Sequence, residues 1–136
     1  MNVLVISGSP KGEKSNTIRL TKSFIKGMSA NEPIEVKYPN ICSLKIESCK
    51  GCFACWKTTP GKCCIADDMT SVLEGELWAD VIIWSFPLFY YNVPGALKNL
   101  IDRQLPLVLP FMAERIDGAG NGSHLARYDM SNKRYV

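Results

Sequence analysis

Two short apolar runs constrain this chain more than anything else in it: NVLVIS at residues 2–7 and DVIIWSF at 80–86. Both are continuous rather than alternating. A strand that is apolar at successive positions is covered on both faces, the state of an interior strand of a parallel sheet. Around these runs apolar residues recur at helical spacing. From about Ser15 to Met28 the spacing predicts a helix that gathers Ile18, Phe24, Ile25 and Met28 on one face with Leu20 and Thr21. Ser15 or Asn16 can cap its start. IEVKY at 34–38 alternates and predicts a second strand nearer an edge. Met69, Val72, Leu73 and Leu77 define another helix face, with Asp67 and Asp68 at its start, where capping and the helix dipole favour acids. Pro94 suits the first turn of a third helix whose apolar face carries Leu97, Leu100, Ile101 and Leu105. The order β-α-β-loop-α-β-α predicts an α/β domain built on a parallel sheet with right-handed crossovers. QLPLVLPFMAERIDGAGNG, residues 104–122, reads as a loop or excursion, and the final KRYV as the opening of another strand.

Composition narrows the function classes. A chain of 136 residues is enough for one domain with a core, 1–136. A formal charge of +3, with Lys and Arg scattered, gives no nucleic-acid footprint. No run approaches the ~18 consecutive apolar residues of a membrane span. MNVLVISGSPKG lacks the basic region of a leader peptide. The expectation is a cytoplasmic protein with no nucleic acid and no membrane, whose thiols stay reduced.

Two loops carry the binding signals. SGSPKGEKSNT, residues 7–17, joins the first strand to the first helix. In an open α/β sheet that junction offers a phosphate unpaired amides and the positive end of a helix dipole. Ser9, Ser15, Asn16 and Thr17 add side-chain donors and Lys11 adds charge. The loop matches neither GxxxxGK[ST] nor GxGxxG, which favours a mononucleotide; an ordinary capped turn is the plain alternative. The loop after the second apolar run, FPLFYYNVP, carries Phe86, Phe89, Tyr90 and Tyr91 between Pro87 and Pro94. Aromatic clusters are usually core. At the carboxyl end of a strand beside a phosphate loop, though, such a cluster with Asn92 can wall a flat aromatic cofactor, which points to a flavin.

VLVISGSPKGEKSNT, CKGCFACWKTTPGKC followed by DDM, and FPLFYYNVPGALKNLIDRQLP together resemble the flavodoxin-like NADPH-dependent FMN reductase family, in particular its branch of iron-sulfur flavoproteins. The resemblance runs from residue 2 to about 112. It implies a three-layer flavodoxin-like α/β fold on an open parallel sheet of strand order 2-1-3, and FMN, with the phosphate on Ser9, Lys11, Ser15, Asn16 and Thr17. The ring would lie against Pro87, Leu88, Phe89, Tyr90 and Asn92. It also implies NAD(P)H as electron donor, a small-molecule electron acceptor, and a homodimer or higher homo-oligomer. Family members continue into a fourth and a fifth strand. This chain stops where the fourth would begin, so the expectation is a domain truncated before or in strand 4, with later strands absent or supplied by a partner. The strand at 80–86 would then present an open apolar edge.

CKGCFACWKTTPGKCC, residues 49–64, holds five of the six cysteines. Cys49, Cys52, Cys55 and Cys63 are spaced C-x2-C-x2-C-x7-C. Four thiolates suit a [4Fe–4S] cluster, and zinc by the same count. The iron-sulfur flavoproteins have similar spacing, and the resemblance implies that there a cluster exchanges electrons with FMN. Buried or redox-active thiols are the competing reading, with Cys42 and Cys64 outside the pattern as apolar filler. His124, the single histidine, has no patterned partner and reads as a surface or partner contact; Asp102-Arg103 reads as a surface or interface pair. No catalytic side chain is expected, since the flavin carries the chemistry. The expected function is NAD(P)H-dependent reduction of a quinone, free flavin or other small acceptor. Two alternatives stand: an iron-sulfur flavoprotein carrying electrons between a ferredoxin and FMN, and a truncated, non-enzymatic binding module.

Overall fold

The structure, a computed structural model, describes residues 1–114 and 121–136. The four-stranded sheet has the order β2-β1-β3-β6, parallel throughout, built from β1 (Asn2–Ser7), β2 (Glu35–Lys37), β3 (Val81–Ser85) and β6 (Arg134–Tyr135). The strand order 2-1-3 expected of a flavodoxin-like α/β sheet is thus present, and the chain's own Arg134–Tyr135 adds the fourth position. That strand is the opening expected at KRYV. It covers the β3 edge through the Arg134 N–H to Asp80 O, Val136 N–H to Ile82 O and Trp84 N–H to Val136 O bonds. The edge expected to be open or partner-filled is therefore occupied over its first half.

The two faces of the sheet follow from side-chain alternation. Val3, Val5, Val81 and Ile83 point to one face and pack with Ile25 of α1 (Asn16–Ser29). Leu4, Ile6 and Ile82 point to the other and pack with Met69, Val72 and Leu73 of α3 (Met69–Trp78) and Leu97 and Leu100 of α4 (Gly95–Asp102). Both central strands are therefore apolar at every turn of the pleat. Each such side chain contributes roughly 1.5–3 kcal/mol on burial. Ser15 caps α1, its hydroxyl accepting from Thr17 N–H at 3.2 Å.

Three expectations need correction. Leu20 and Phe24 do not join the α1 core face: they are 74% and 47% exposed, while Ile18, Thr21 and Ile25 are buried. The contacting stripe is narrower than the arc drawn from the sequence, and Leu20 lies about 200° around the helix from Ile18. The excursion at 104–122 is structured over most of its described part. A 3-10 turn (Leu105–Leu107) leads into β4 (Val108–Glu114), which pairs antiparallel with β5 (Asn121–Ala126); Arg115–Gly120 lie outside the described residues. Pro110 argued against a strand, but a two-stranded ribbon has only edges, where the missing N–H costs little. Arg103 is not at the surface: it is 2% exposed and ion-paired to Asp67, while Asp102 pairs with Lys98 instead. Among the described residues no helix is long and apolar enough to cross a membrane.

Candidate functional site

The phosphate-loop candidates lie at the carboxyl end of β1. Ser7 N–H bonds Pro39 O at 3.0 Å, and Gly8 N–H bonds Ser85 O at 2.9 Å, the last residue of β3. The loops that follow β1 and β3 are thereby joined at their roots. Gly8 is also packed where no side chain fits easily. A Cβ there would sit 3.0 Å from Leu97 Cδ2 and 3.1 Å from Phe86 Cβ. From Ser9 the loop winds through two successive turns, Gly12 N–H to Ser9 O and Ser15 N–H to Gly12 O, with Gly12 at φ +50°. These turns aim the start of α1 outward. Ser9 and Ser15 are buried, Thr17 is half-buried, and Lys11 and Asn16 are exposed. At the root of the loop Ser7 Oγ is buried without a hydrogen-bond partner, beside a recess of about 100 Å³ that Gly12, Tyr38 and Asn40 help to line. An orphaned buried hydroxyl costs about 1–3 kcal/mol unless something meets it.

The aromatic loop leaves β3 beside this root. Phe86 and Pro87 are half-buried, while Leu88, Phe89 and Asn92 are exposed. Its tip is a two-residue hairpin turn. Phe89 N–H bonds Asn92 O at 2.8 Å, and Asn92 N–H bonds Phe89 O at 3.0 Å. Between them Tyr90 and Tyr91 have φ +46° and +62° and are 97% and 94% exposed. This turn type normally takes Asn-Gly, since left-handed backbone costs a side-chain-bearing residue roughly 1–2 kcal/mol. Two large aromatics therefore sit in strained backbone and in water. Asn92 Oδ1 accepts from Val93 N–H at 2.8 Å, which turns the chain toward α4.

The cysteine segment is clamped at its base. Asp67 accepts from the Glu47 and Met69 amides at 2.9 and 3.1 Å and pairs with Arg103. Asp68 accepts from Lys45 N–H at 2.7 Å, and Arg103 donates to Glu47 O and Ile65 O. Burial pushes the Asp67 carboxyl up, but Arg103 and the two amides outweigh it and hold the group below its ordinary range. The acids read as helix caps thus do more: they tie both ends of the segment to α3 and α4. Farther out, the short helix α2 (Ala54–Lys57) carries Trp56, whose Nε1–H is shared by Leu105 O and Val108 O at 3.0 Å each. Phe53 stacks on Trp56 at 5.2 Å and His124 lies 5.1 Å from it, tilted. His124 is accordingly half-buried against the segment rather than a free surface residue.

Cys55 is buried, Cys63 is half-buried, and Cys49 and Cys52 are exposed. Burial raises the Cys55 thiol, and the nearby Cys63, Cys49 and Cys52 raise it further, so the four patterned cysteines share one neighbourhood. Among the described residues, however, no three His, Cys, Asp or Glu side chains are arranged to hold a metal ion. Cys42 and Cys64 are exposed, not filler. Cys64 Sγ lies 3.6 Å from Cys52 Sγ. The Ala54 amide and the Cys64 thiol hold Cys52 below the ordinary thiol range, and the same contact raises Cys64.

Sequence reasoning passed over Glu76. It is 1% exposed on α3, and Gln104 Nε2 donates to both its oxygens at 2.8 and 3.1 Å. It faces an apolar cavity of about 240 Å³ lined by Leu107, Val108, Met130 and Tyr135. Burial raises its pKa to about 7, despite Gln104 and Lys133. Nothing in the sequence set it apart from Glu74, two residues earlier and exposed.

The family described as Flavodoxin-like fold matches residues 1–117. An iron-sulfur flavoprotein of Methanocaldococcus jannaschii is 35% identical over 120 residues, covering 88% of this chain and 60% of that protein. An FMN-dependent NADH:quinone oxidoreductase of Pseudoalteromonas atlantica is 27% identical over 114 residues, covering 75% and 54%. The crystal structure of an azoreductase from Bacillus anthracis superposes with a TM-score of 0.67 at 16% identity, covering 99% of this chain and 66% of that one. That likeness is one of fold. The chain spans about half the length of the relatives it matches.

Proposed function

The chain belongs to the flavodoxin-like fold family, and on that premise we propose that it is a flavoprotein oxidoreductase that binds FMN and takes electrons from NAD(P)H for a small acceptor such as a quinone or free flavin. The observation that carries the reading is the junction at Gly8. Its bond to Ser85 and its packing against Phe86 and Leu97 bring a phosphate-type loop and an aromatic loop to adjacent carboxyl strand ends. The residues present fit the cofactor. A phosphate needs the α1 N-terminus, Lys11 and the hydroxyls of Ser9, Ser15 and Thr17, with Asn16 at the rim. A flat ring needs an apolar shelf, and Leu88, Phe89 and Tyr90 are exposed beside Pro87 with the Asn92 amide next to them. The unpartnered Ser7 hydroxyl at the root of this loop supports a polar occupant nearby.

Bound FMN supplies the hydride and electron chemistry. Ser9, Lys11, Ser15, Asn16 and Thr17 would anchor its phosphate, and Pro87, Leu88, Phe89, Tyr90 and Asn92 would hold its ring. No side chain is assigned a proton-transfer role. The relatives named FMN-dependent NADH:quinone oxidoreductases support the donor and acceptor classes. Exposed Phe111, Met112 and Leu125 on the β4–β5 ribbon support self-association into a homodimer or higher oligomer.

A second reading follows from the cysteines. Their spacing and the relatives named iron-sulfur flavoproteins support a [4Fe–4S] cluster, for which Cys49, Cys52, Cys55 and Cys63 would have to be drawn together from the places they hold here, where no three of them are arranged around a metal ion. FMN titration of the full chain, followed by desalting and an absorption spectrum, tests the first reading. Stoichiometric yellow protein that oxidises NAD(P)H with an added quinone is expected. Protein that stays colourless overturns it. Iron and sulfide analysis after anaerobic preparation tests the second, and iron-free protein overturns that one alone.

A further inference from the structure

Neither reading uses Cys64. It falls outside the four-thiol pattern, it is exposed, and its sulfur lies 3.6 Å from that of Cys52, also exposed. We propose that Cys52 and Cys64 form a reversible thiol–disulfide couple, a modification site separate from the flavin reading. A disulfide has its sulfurs about 2.05 Å apart, so closure asks for a movement of about 1.5 Å by two side chains at the surface. The backbone sets up the approach. Gly51 and Phe53, at φ +63° and +55°, reverse the chain on either side of Cys52. Gly61 at φ +81°, with the Lys62 N–H to Thr59 O and Gly61 N–H to Cys55 O bonds, brings the chain back to Cys64. The clamp at Asp67, Glu47 and Arg103 holds the base of the segment closed below them. The pairing is therefore built by turns on both arms, not by two loose tips. Cys55 is buried and Cys63 half-buried; Cys52 and Cys64 are open to solution oxidants, as Cys42 and Cys49 are, and are the two whose sulfurs already lie in contact.

The oxidant is a small-molecule disulfide. One thiolate of the pair attacks it, forming a mixed disulfide and releasing one thiol. The second thiolate attacks the protein sulfur of that mixed disulfide and releases the other thiol. Two protein S–H bonds are lost, one S–S bond forms, and the two electrons reside in the two released thiols. A dithiol reductant reverses both steps. Closure also withdraws Cys52 from the four-cysteine set, so disulfide and tetrathiolate ligation exclude each other.

The test uses the full chain, reduced, equilibrated with graded ratios of oxidised to reduced glutathione, acid-quenched, alkylated, and digested for mass spectrometry. The expected result is one cross-linked peptide pair whose fragment ions place the bond between Cys52 and Cys64, with loss of two hydrogens, reversed by dithiothreitol. Cys64→Ser and Cys52→Ser lose the cross-link and instead retain glutathione on the remaining partner. Cys42→Ser, which removes an exposed thiol outside the segment, leaves the cross-link unchanged. A bond assigned to Cys55 or Cys63, a cross-link that survives in Cys64→Ser, or full alkylation of both thiols at every ratio overturns the proposal. The wild-type fragment assignment decides the matter even if a serine variant fails to fold.

Discussion

Glu76→Gln should make the chain more stable at alkaline pH and leave it nearly unchanged in acid. The Glu76 carboxyl is raised from an ordinary 4.5 to about 7, chiefly by burial. A group with a raised folded-state pKa contributes its full stability below the unfolded value. That contribution falls as pH climbs from about 4.5 toward 7, because the unfolded chain ionises first, and it is gone above the folded value. At about 1.36 kcal/mol per pH unit the loss is about 3 kcal/mol, against a total stability of about 5–15 kcal/mol. Glutamine keeps the shape, can turn its carbonyl oxygen to the Gln104 amide, and never ionises. Denaturant unfolding of wild type and variant from pH 4.5 to 8.5 measures the difference, in which all other titrating groups cancel. The two should coincide near pH 4.5 and separate by about 3 kcal/mol above pH 7.5, with the variant the more stable. A pH-independent difference would refute the reasoning. It would mean that the cavity beside Glu76 admits enough water to solvate the charge, so that burial imposes no penalty.

Two further substitutions test the site and its clamp. Gly8→Ala puts a Cβ within 3.0–3.1 Å of Leu97 and Phe86; it should cost about 1–3 kcal/mol in denaturant unfolding and weaken FMN retention after desalting. Wild-type stability and retention would show that the two loop roots are not held together there. Asp67→Ala strips the partner from a fully buried guanidinium and should cost about 3–5 kcal/mol, read as the shift in unfolding midpoint; a cost below about 1 kcal/mol would show that water reaches Arg103 in its absence.

The sheet was legible because its two central strands carry runs of four consecutive apolar residues, Val3–Ile6 and Val81–Trp84, as strands covered on both faces do, and helical patterns alternate with them. The loops at 7–17 and 86–94 were legible because they follow those strands directly, the first as a run of turn and helix-capping residues and the second as an aromatic cluster unusual in a turn. What was hidden depended on long-range partners. Arg103 looked like a surface charge because its partner, Asp67, lies 36 positions away. Glu76 looked like an ordinary helix charge because its partner Gln104 lies on a distant element, while the exposed stripe of α3 is confined to Thr70, Ser71 and Glu74. The β4–β5 ribbon was obscured by Pro110, whose exclusion from strands does not extend to a pair made only of edges. The strain at Tyr90 and Tyr91 could not be read either, since the same dipeptide is at ease in extended backbone. The residues proposed to hold a flavin, Ser9, Lys11, Ser15, Asn16 and Thr17 on one loop and Pro87, Leu88, Phe89, Tyr90 and Asn92 on the other, lie on loops joined at their roots by the Gly8–Ser85 bond.

The shared indole N–H of Trp56 has one more consequence. A single donor engaging Leu105 and Val108 stitches the helix amid the cysteines to the strand that follows the 3-10 turn. The outer part of the segment around 49–64 and the strands at 108–114 and 121–126 should then open together. Amide-exchange protection in the two stretches should rise and fall in step, and with Trp78 and Trp84 replaced by Phe the remaining Trp56 emission would report that opening alone.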